Sequence, residues 1–430
     1  MENFLSPLKN AWKIPDLRKK ILASFLLLVV YRVGVYIPVP GLSSAVLRDM
    51  AQRQSGLFGF MNIIGGGAFE NASIFAMNIS PYITASIIIQ LLTMAIPALE
   101  RLQKEGEEGR KKLAEWMRYG TVLLGFLQAT FMYIGFRNAI EKPGVLSFLT
   151  VTFALTAGTA FIMWLGEQIN EYGIGNGISL IIFVNILSRG PQGASALYSI
   201  AKAYDLEGRL AIGILVVAAI FVVFIAVIMF VIWVTQAERR IPVQYAKRVV
   251  GRKIYGGQST HIPIKVNVAG VIPIIFAMSI LAVIPTLVGL VAPNTTSKFL
   301  RALIEFNRSP VYMLVYGLLI LFFTFFYTIA VFNPVEVANN IRKNGGFIPG
   351  IRPGKPTSDY IAKVLNRVTW FGAFFLAVVA VLPIALGFIT GLHNIWFGGT
   401  SVLIMVGVAL ETMQAVESQL IMRHYKGFLD

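Results

Sequence analysis

The chain of 430 residues is 56% hydrophobic and only 13% charged, with a mean hydropathy of +0.71, against roughly 25% charged in an ordinary soluble domain. Such a composition marks an integral membrane protein. No gap between its apolar runs reaches the roughly 50 residues that a separate soluble catalytic domain needs.

The net charge of +16 does not point to nucleic acid, because the 37 Lys and Arg stand almost wholly in short connections between apolar runs, where they set topology. Cysteine is absent, which excludes disulfides, thiolate metal sites and cysteine nucleophiles. His261, His393 and His424 are too dispersed for a zinc site, so neither metal nor cofactor is expected.

Arg18, Lys19 and Lys20 precede the first apolar run, Arg32 interrupts it, and Tyr36-Ile37-Pro38 offers no small-x-small cleavage site. The run is expected to stay as an anchor. Ten candidate spans follow from run length and flanks, near residues 21–38, 73–96, 117–136, 148–166, 174–188, 210–234, 266–292, 311–332, 368–389 and 396–416. The N-terminal segment and every second connection hold 26 of the Lys and Arg, the alternate connections hold 10, and Arg32 lies within a span. Both termini are therefore expected in the cytoplasm, with the cation-rich connections 236–265 and 333–367 on the same side. On the external side, the run from Gly56 to Gly67 is apolar, too short to span and punctuated by glycine. It reads as a re-entrant or plugging segment or as a loop packed on the external surface.

Ten spans divide as five plus five, and an odd number per half inverts the second half if the two are structural repeats. Pro81 in the second span is echoed by Pro273 and Pro285 in the seventh, and Gly173-Ile174-Gly175-Asn176-Gly177 before the fifth by Gly398-Gly399-Thr400-Ser401 before the tenth. These are either interrupted helices around a central pathway or ordinary Gly and Pro of membrane helices. The expected divisions are a cytoplasmic segment 1–20, a first half 21–190, an external hinge loop 191–208, a second half 209–416 and a cytoplasmic tail 417–430.

Ion-coupled transporters need ionisable groups within the bilayer. Here Arg32 and Glu411 stand near interfaces, and Glu167 and Glu171 flank a turn, so snorkelling or pairing accounts for them. The mid-span polar residues Asn78, Gln90, Gln128, Gln168, Asn185 and Ser279 are uncharged, and their default use is interhelical hydrogen bonding. No serine–histidine pair, membrane aspartate pair or zinc motif suggests an intramembrane protease, and no Walker loop binds ATP. An inverted-repeat solute transporter remains the alternative to a channel.

Several strings in fixed order then carry a likeness. They are Ser73-Ile74-Phe75-Ala76, the stretch from Pro81 to Gln90, Trp164-Leu165-Gly166-Glu167-Gln168-Ile169 and Gly173 to Ser179. They continue with Gln258 to Asn267, Ala269-Gly270-Val271-Ile272-Pro273, Asn333-Pro334, Pro349 to Gly354, Gly398 to Ser401 and Val416 to Leu420. Together they resemble the SecY family, the large subunits of the bacterial protein-conducting channel, over essentially the whole chain.

The resemblance implies an all-α integral membrane protein, with ten transmembrane helices in two pseudo-symmetric inverted halves around a central hourglass pore. It implies no enzyme activity. Unfolded precursor polypeptides with signal sequences would cross the bacterial plasma membrane, and hydrophobic segments would leave sideways into lipid. Carried over by motif, the constriction is Ile79, Ile83, Ile182, Ile186, Ile275 and Ile404. The plug spans 56–69, with Phe58, Gly59, Gly65, Gly66 and Gly67, and the lateral gate carries Thr84, Gln128 and Ser279. Docking falls to Arg352 and to Arg239, Arg240, Lys247, Arg248 and Arg252, whose expected partners are the motor ATPase SecA and the ribosome. SecE and SecG are the expected small membrane subunits.

Overall fold

The computed structural model describes residues 11–53, 65–135, 139–206, 210–245, 248–250, 253–255, 259–291, 306, 309–390 and 399–426. The first half comprises α1 (Pro15–Gly34), α2 (Ser44–Arg53), α3 (Ser80–Ala95), α4 (Pro97–Lys104), α5 (Glu107–Gly135), α6 (Val145–Tyr172), α7 (Gly177–Leu187) and α8 (Gly190–Leu206). The second comprises α9 (Leu210–Gln236), strands β1 (Glu238–Tyr245), β2 (Arg248–Val250), β3 (Lys253–Tyr255) and β4 (Ser259–Lys265), then α10 (Ile272–Val291) and α11 (Pro310–Val331). It ends with α12 (Pro334–Lys343), β5 (Gly346–Phe347), α13 (Lys355–Thr390) and α14 (Gly399–Lys426).

Every expected span is a helix: α1, α3, α5, α6, α7, α9, α10, α11, α13 and α14 in order. Among the described residues, five helices are long and apolar enough to cross a membrane on length and composition alone, or six if the bent pair α3–α4 counts as one span. Helix starts follow the sequence punctuation. Asn176 caps α7 by accepting from the amides of Ile178 and Ser179 at 3.1 and 3.3 Å, Ser309 caps α11 at Val311, and Asn333 caps α12 at Val335 and Glu336. Pro97 sets the end of α3. The residue before a proline avoids the helical region, Ile96 is extended (φ −109°, ψ 112°), and α4 departs at 103° to α3.

Helix neighbours repeat between the halves. In the first, α3 packs on α5, α5 on α6, α6 on α7 and α1 on α7; in the second, α10 packs on α11, α11 on α13, α13 on α14 and α9 on α14. Advancing each pair by five spans maps the first set onto the second, the mark of an internal repeat. The halves meet where α7 crosses α14 and where α5 touches α10. One apolar cluster lies at that first crossing and another fills the second half around α10, α11 and α13. Outside them, α9 turns Leu215, Val222, Met229 and Trp233 outward, as a lipid-facing helix does.

Three expectations on boundaries change. The second span begins at Ser80 rather than at residue 73, because residues 65–79 fold as consecutive buried turns. The connection 191–208 is no open loop, since α8 occupies most of it. The connection 236–265 is strands: β1 pairs antiparallel with β4 from Glu238 opposite Lys265 to Gln244 opposite Ser259, β5 joins the other edge of β1, and β2 pairs with β3. The period-2 alternation Ile241, Val243 against Pro242, Gln244 is the signal for β1.

The α7 entrance is a test of this packing. Gly177 donates its amide to Asn170 Oδ1 at 2.7 Å, and a Cβ there would run into the Gly166 carbonyl. Asn176→Ala removes the cap and is expected to cost about 1 kcal/mol, read as a lower thermal midpoint of the detergent-solubilised protein. An unchanged midpoint would show that tertiary packing alone sets the α7 start.

Candidate functional site

The α3 entrance places Ile79 at its N-cap and Ile83 one turn later; α7 presents Ile182 and Ile186 with the same spacing. Ile275 stands in the first turn of α10 and Ile404 in the first turns of α14. These four helices come from both halves, yet all six side chains enter one apolar cluster. Ile79, Ile182, Ile186 and Ile404 are buried in it, and Ile83 and Ile275 pack against it half-buried. Branched hydrocarbon groups offer water and ions no hydrogen bond, so a narrow passage lined by them gates by dewetting.

Residues 65–79 lie beside this ring. Gly65, Gly66 and Gly67 are buried there and Ala68 belongs to the ring cluster; Phe58 and Gly59 lie outside the described residues. Gly66 and Gly67 adopt φ of +59° and +89°, a region that disfavours side chains. Arg32, in the last turn of α1, donates from Nη1 to the Gly66 carbonyl at 2.9 Å and stacks its guanidinium over Tyr36. Asn185 donates from Nδ2 to the Tyr31 hydroxyl at 2.7 Å, and that hydroxyl donates to Asn78 Oδ1 at 3.4 Å. Just after α7, Arg189 donates from Nη2 to Glu70 Oε1 at 3.1 Å. Burial pulls the Arg189 guanidinium below its ordinary range and the Glu70 carboxylate pulls it back up. Motif reasoning missed Tyr31, Glu70 and Arg189; a cation or carboxylate flanking an apolar run was the available signal.

The three expected gate residues are not joined. Thr84 donates to the Ser80 carbonyl of its own helix at 3.0 Å, as Thr121, Thr324 and Thr328 do in theirs. Among the described residues, no side-chain hydrogen bond links Thr84, Gln128 and Ser279 to one another. Where α3 meets the second half the seam is apolar instead: Ile87 is buried among Phe276, Leu281, Ile320 and Phe323, with Ile83 and Leu91 packed alongside. The contacts at this seam are hydrocarbon.

On the strand side, the two cation-rich connections share one core: Ile241, Val243 and Ile264 pack with Ala338, Ile341 and Ile348 and with Ile361 and Leu365 of α13. Arg239 and Arg240 are exposed on β1, where Arg240 pairs with Glu238 at 2.7 Å. Arg352 is exposed between Gly350 and Gly354, at φ +79° and +102°, and its carbonyl accepts from the Thr357 hydroxyl at 2.9 Å. Arg248 begins β2, while Lys247 and Arg252 lie outside the described residues. The sequence did not reveal that both connections form one body.

The SecY family model matches residues 73–413. The chain belongs to the SecY family. It is 49% identical to the protein translocase subunit SecY of Halalkalibacterium halodurans, across 98% of this chain and 99% of that one. It is 47% identical to the protein translocase subunit SecY of Bacillus subtilis, over the same shares of both chains. Among solved structures the fold is similar to a protein-conducting channel (TM-score 0.66, 20% identity, 96% of this chain and 97% of that one). It is similar to a SecY whose plug domain stabilises the closed state and maintains a membrane seal (TM-score 0.62, 19% identity, the same coverage). It is also similar to Sec61 in a canine ribosome–channel complex from the endoplasmic reticulum (TM-score 0.63, 18% identity, the same coverage). The family places the chain among translocase subunits and away from solute transporters.

Wetting the ring tests its role in this SecY-family chain. Ile83→Asn with Ile275→Asn puts two hydrogen-bonding side chains into the apolar cluster and is expected to raise resting ion conductance in planar bilayers. Unchanged conductance of a correctly folded variant would reject these positions as the constriction.

Proposed function

We propose that the chain is the pore-forming subunit of a protein-translocation channel, passing unfolded polypeptides across a membrane and releasing hydrophobic segments sideways into lipid. The observation that carries this reading is the convergence of six isoleucines from two symmetric helix pairs into one cluster, in a member of a translocase family. Such a ring has no chemistry of its own and seals by excluding water. Energy comes from outside the chain.

In this reading residues 56–69 form the plug, and the apolar seam of α3 against α10 and α11 is the lateral gate. A segment leaving through it exchanges one hydrocarbon contact for another, so the gate opens for apolar segments and stays shut to polar ones. The shared body of the strand side is the docking platform. Arg352, fixed in a glycine-bounded turn, presents a guanidinium to a carboxylate-bearing motor such as SecA, and the surrounding cations suit ribosomal RNA. That the canine neighbour is a ribosome–channel complex supports the second partner. The outward face of α9 leaves room for small membrane subunits of the SecE and SecG kind. The cation bias puts the platform and both termini in the cytoplasm of a bacterial cell, with the spans in its plasma membrane.

The chain reconstituted in liposomes with SecE, SecG and SecA is expected to give ATP-dependent protease protection to an unfolded precursor carrying a signal sequence. Absence of protection with folded protein and active motor would reject the channel reading. Arg352→Glu is expected to abolish most of that protection while leaving resting conductance unchanged, and normal translocation by the variant would reject its docking role.

A further inference from the structure

A cation and a buried carboxamide are expensive near the centre of a membrane protein, and they persist where they hold something. Arg32 spends its charge on a neutral acceptor, the Gly66 carbonyl, at 2.9 Å. Gly66 is fitted to that contact from two sides. Its φ is +59°, and a Cβ built on it would lie 2.7 Å from Asn185 Oδ1 and 2.9 Å from Arg32 Nη1. Asn185 is fully buried, held by its bond to Tyr31, which is fully buried too. Its Oδ1 faces the glycine without a hydrogen-bond partner, so the seat is closed by shape on the α7 side and by charge on the α1 side. One turn beyond Asn185, Arg189 grips Glu70, four residues beyond Gly66. Tyr31 also reaches Asn78, which directly precedes the ring residue Ile79.

These contacts sit at the point where residues 56–64 join the chain packed on the ring. We infer that Arg32, Asn185 and the Arg189–Glu70 pair form a polar latch that holds residues 65–69, the root of the plug, against the isoleucine cluster, and that release of Gly66 from Arg32 is a step in opening. This rests on the reading of residues 56–69 as the plug. Arg32 is a positioning residue in this scheme, acting through its contacts with the Gly66 carbonyl and the Tyr36 ring. Because Arg32 is attached by one charge-assisted bond to a backbone carbonyl, releasing Gly66 from it strands no second charge.

Resting anion conductance of proteoliposomes holding the full channel complex is the readout. Arg32→Ala is expected to raise it by roughly three- to tenfold, the shift in a closed-to-open balance that the loss of one net hydrogen bond produces. Arg32→Lys, which keeps a cationic donor, is expected to restore most of the seal. Gly66→Ala should leak with Arg32 intact, and combining it with Arg32→Ala should add little, since both remove the same contact. Glu70→Gln supplies an independent break should Arg32→Ala fold poorly. Wild-type conductance in folded Arg32→Ala and Glu70→Gln overturns the latch, as does equal leakage in Arg32→Ala and Arg32→Lys. Deleting residues 58–64 separates the two readings. A leaking deletion with tight Arg32→Ala rejects the latch and keeps the plug, and a tight deletion rejects both.

Discussion

A passage for polypeptides through a hydrocarbon layer needs a narrowest point made of groups that cannot hydrogen-bond, inside a protein whose every other polar group must be satisfied without water. The six isoleucines proposed as that point share one cluster because four helices from two halves bring them together. That convergence depends on short entrances: α3 starts late, at Ser80, and α7 runs only from Gly177 to Leu187. Helices starting at the ends of the expected spans would place Ile79 and Ile182 at other depths and other azimuths. The turns of residues 65–79 and the capped, glycine-bounded start of α7 are thus conditions for the ring.

The second demand explains where the polar residues went. The hydroxyls of Thr84, Thr121, Thr156, Thr324 and Thr412 donate to carbonyls one turn back in their own helices. Carboxamides and charges have no such local solution. Asn185 bonds across elements to Tyr31, and Tyr31, Arg32 and Arg189 bond in turn to Asn78, Gly66 and Glu70 of residues 65–79. Interhelical hydrogen bonds within a membrane are worth about 0.6 to 2 kcal/mol each, enough to bias a resting arrangement and small enough to be reversed by an arriving polypeptide.

Much of this was legible because membrane proteins write their fold in long runs and in charge bias. Ten runs became ten helices, and the irregularities read at Pro81 and at Gly173 to Gly177 stand where α3 and α7 begin. The ring positions came from family motifs; any single isoleucine in an apolar run looks like ordinary packing, and only the assembled cluster sets these six apart. What escaped was short or non-local. Residues 73–79 read as helix because they are apolar, whereas Ala72 and Asn78 at φ +51° and +53° bend them into turns. Thr84, Gln128 and Ser279 were expected to make polar contacts across a gate, but Thr84 finds a nearer acceptor in the carbonyl one turn back in its own helix, and the seam of α3 against the second half holds Ile87 and Phe276. The strands were hidden by their high charge.

The strand-side body and the ring are mechanically continuous through α10. β4 ends at Lys265, Val266 bonds its amide to the Ala237 carbonyl at 2.9 Å, and Gly372 of α13 packs so closely on the Val266 carbonyl that a Cβ would not fit. Val268, two residues on, packs on the platform core, while Val266 and Val271 pack on the second-half cluster. The lead-in to α10 is thus shared between the two cores. In its proposed docking role, a load placed on Arg352 reaches the foot of α10 through the packed contacts of the strand-side core. α10 then contributes Ile275 to the ring and Phe276 to the lateral seam, neighbouring residues that face different clusters. A rotation of α10 about its axis changes both contacts at once, so in the proposed channel this helix joins the docking platform to the constriction and to the lateral seam.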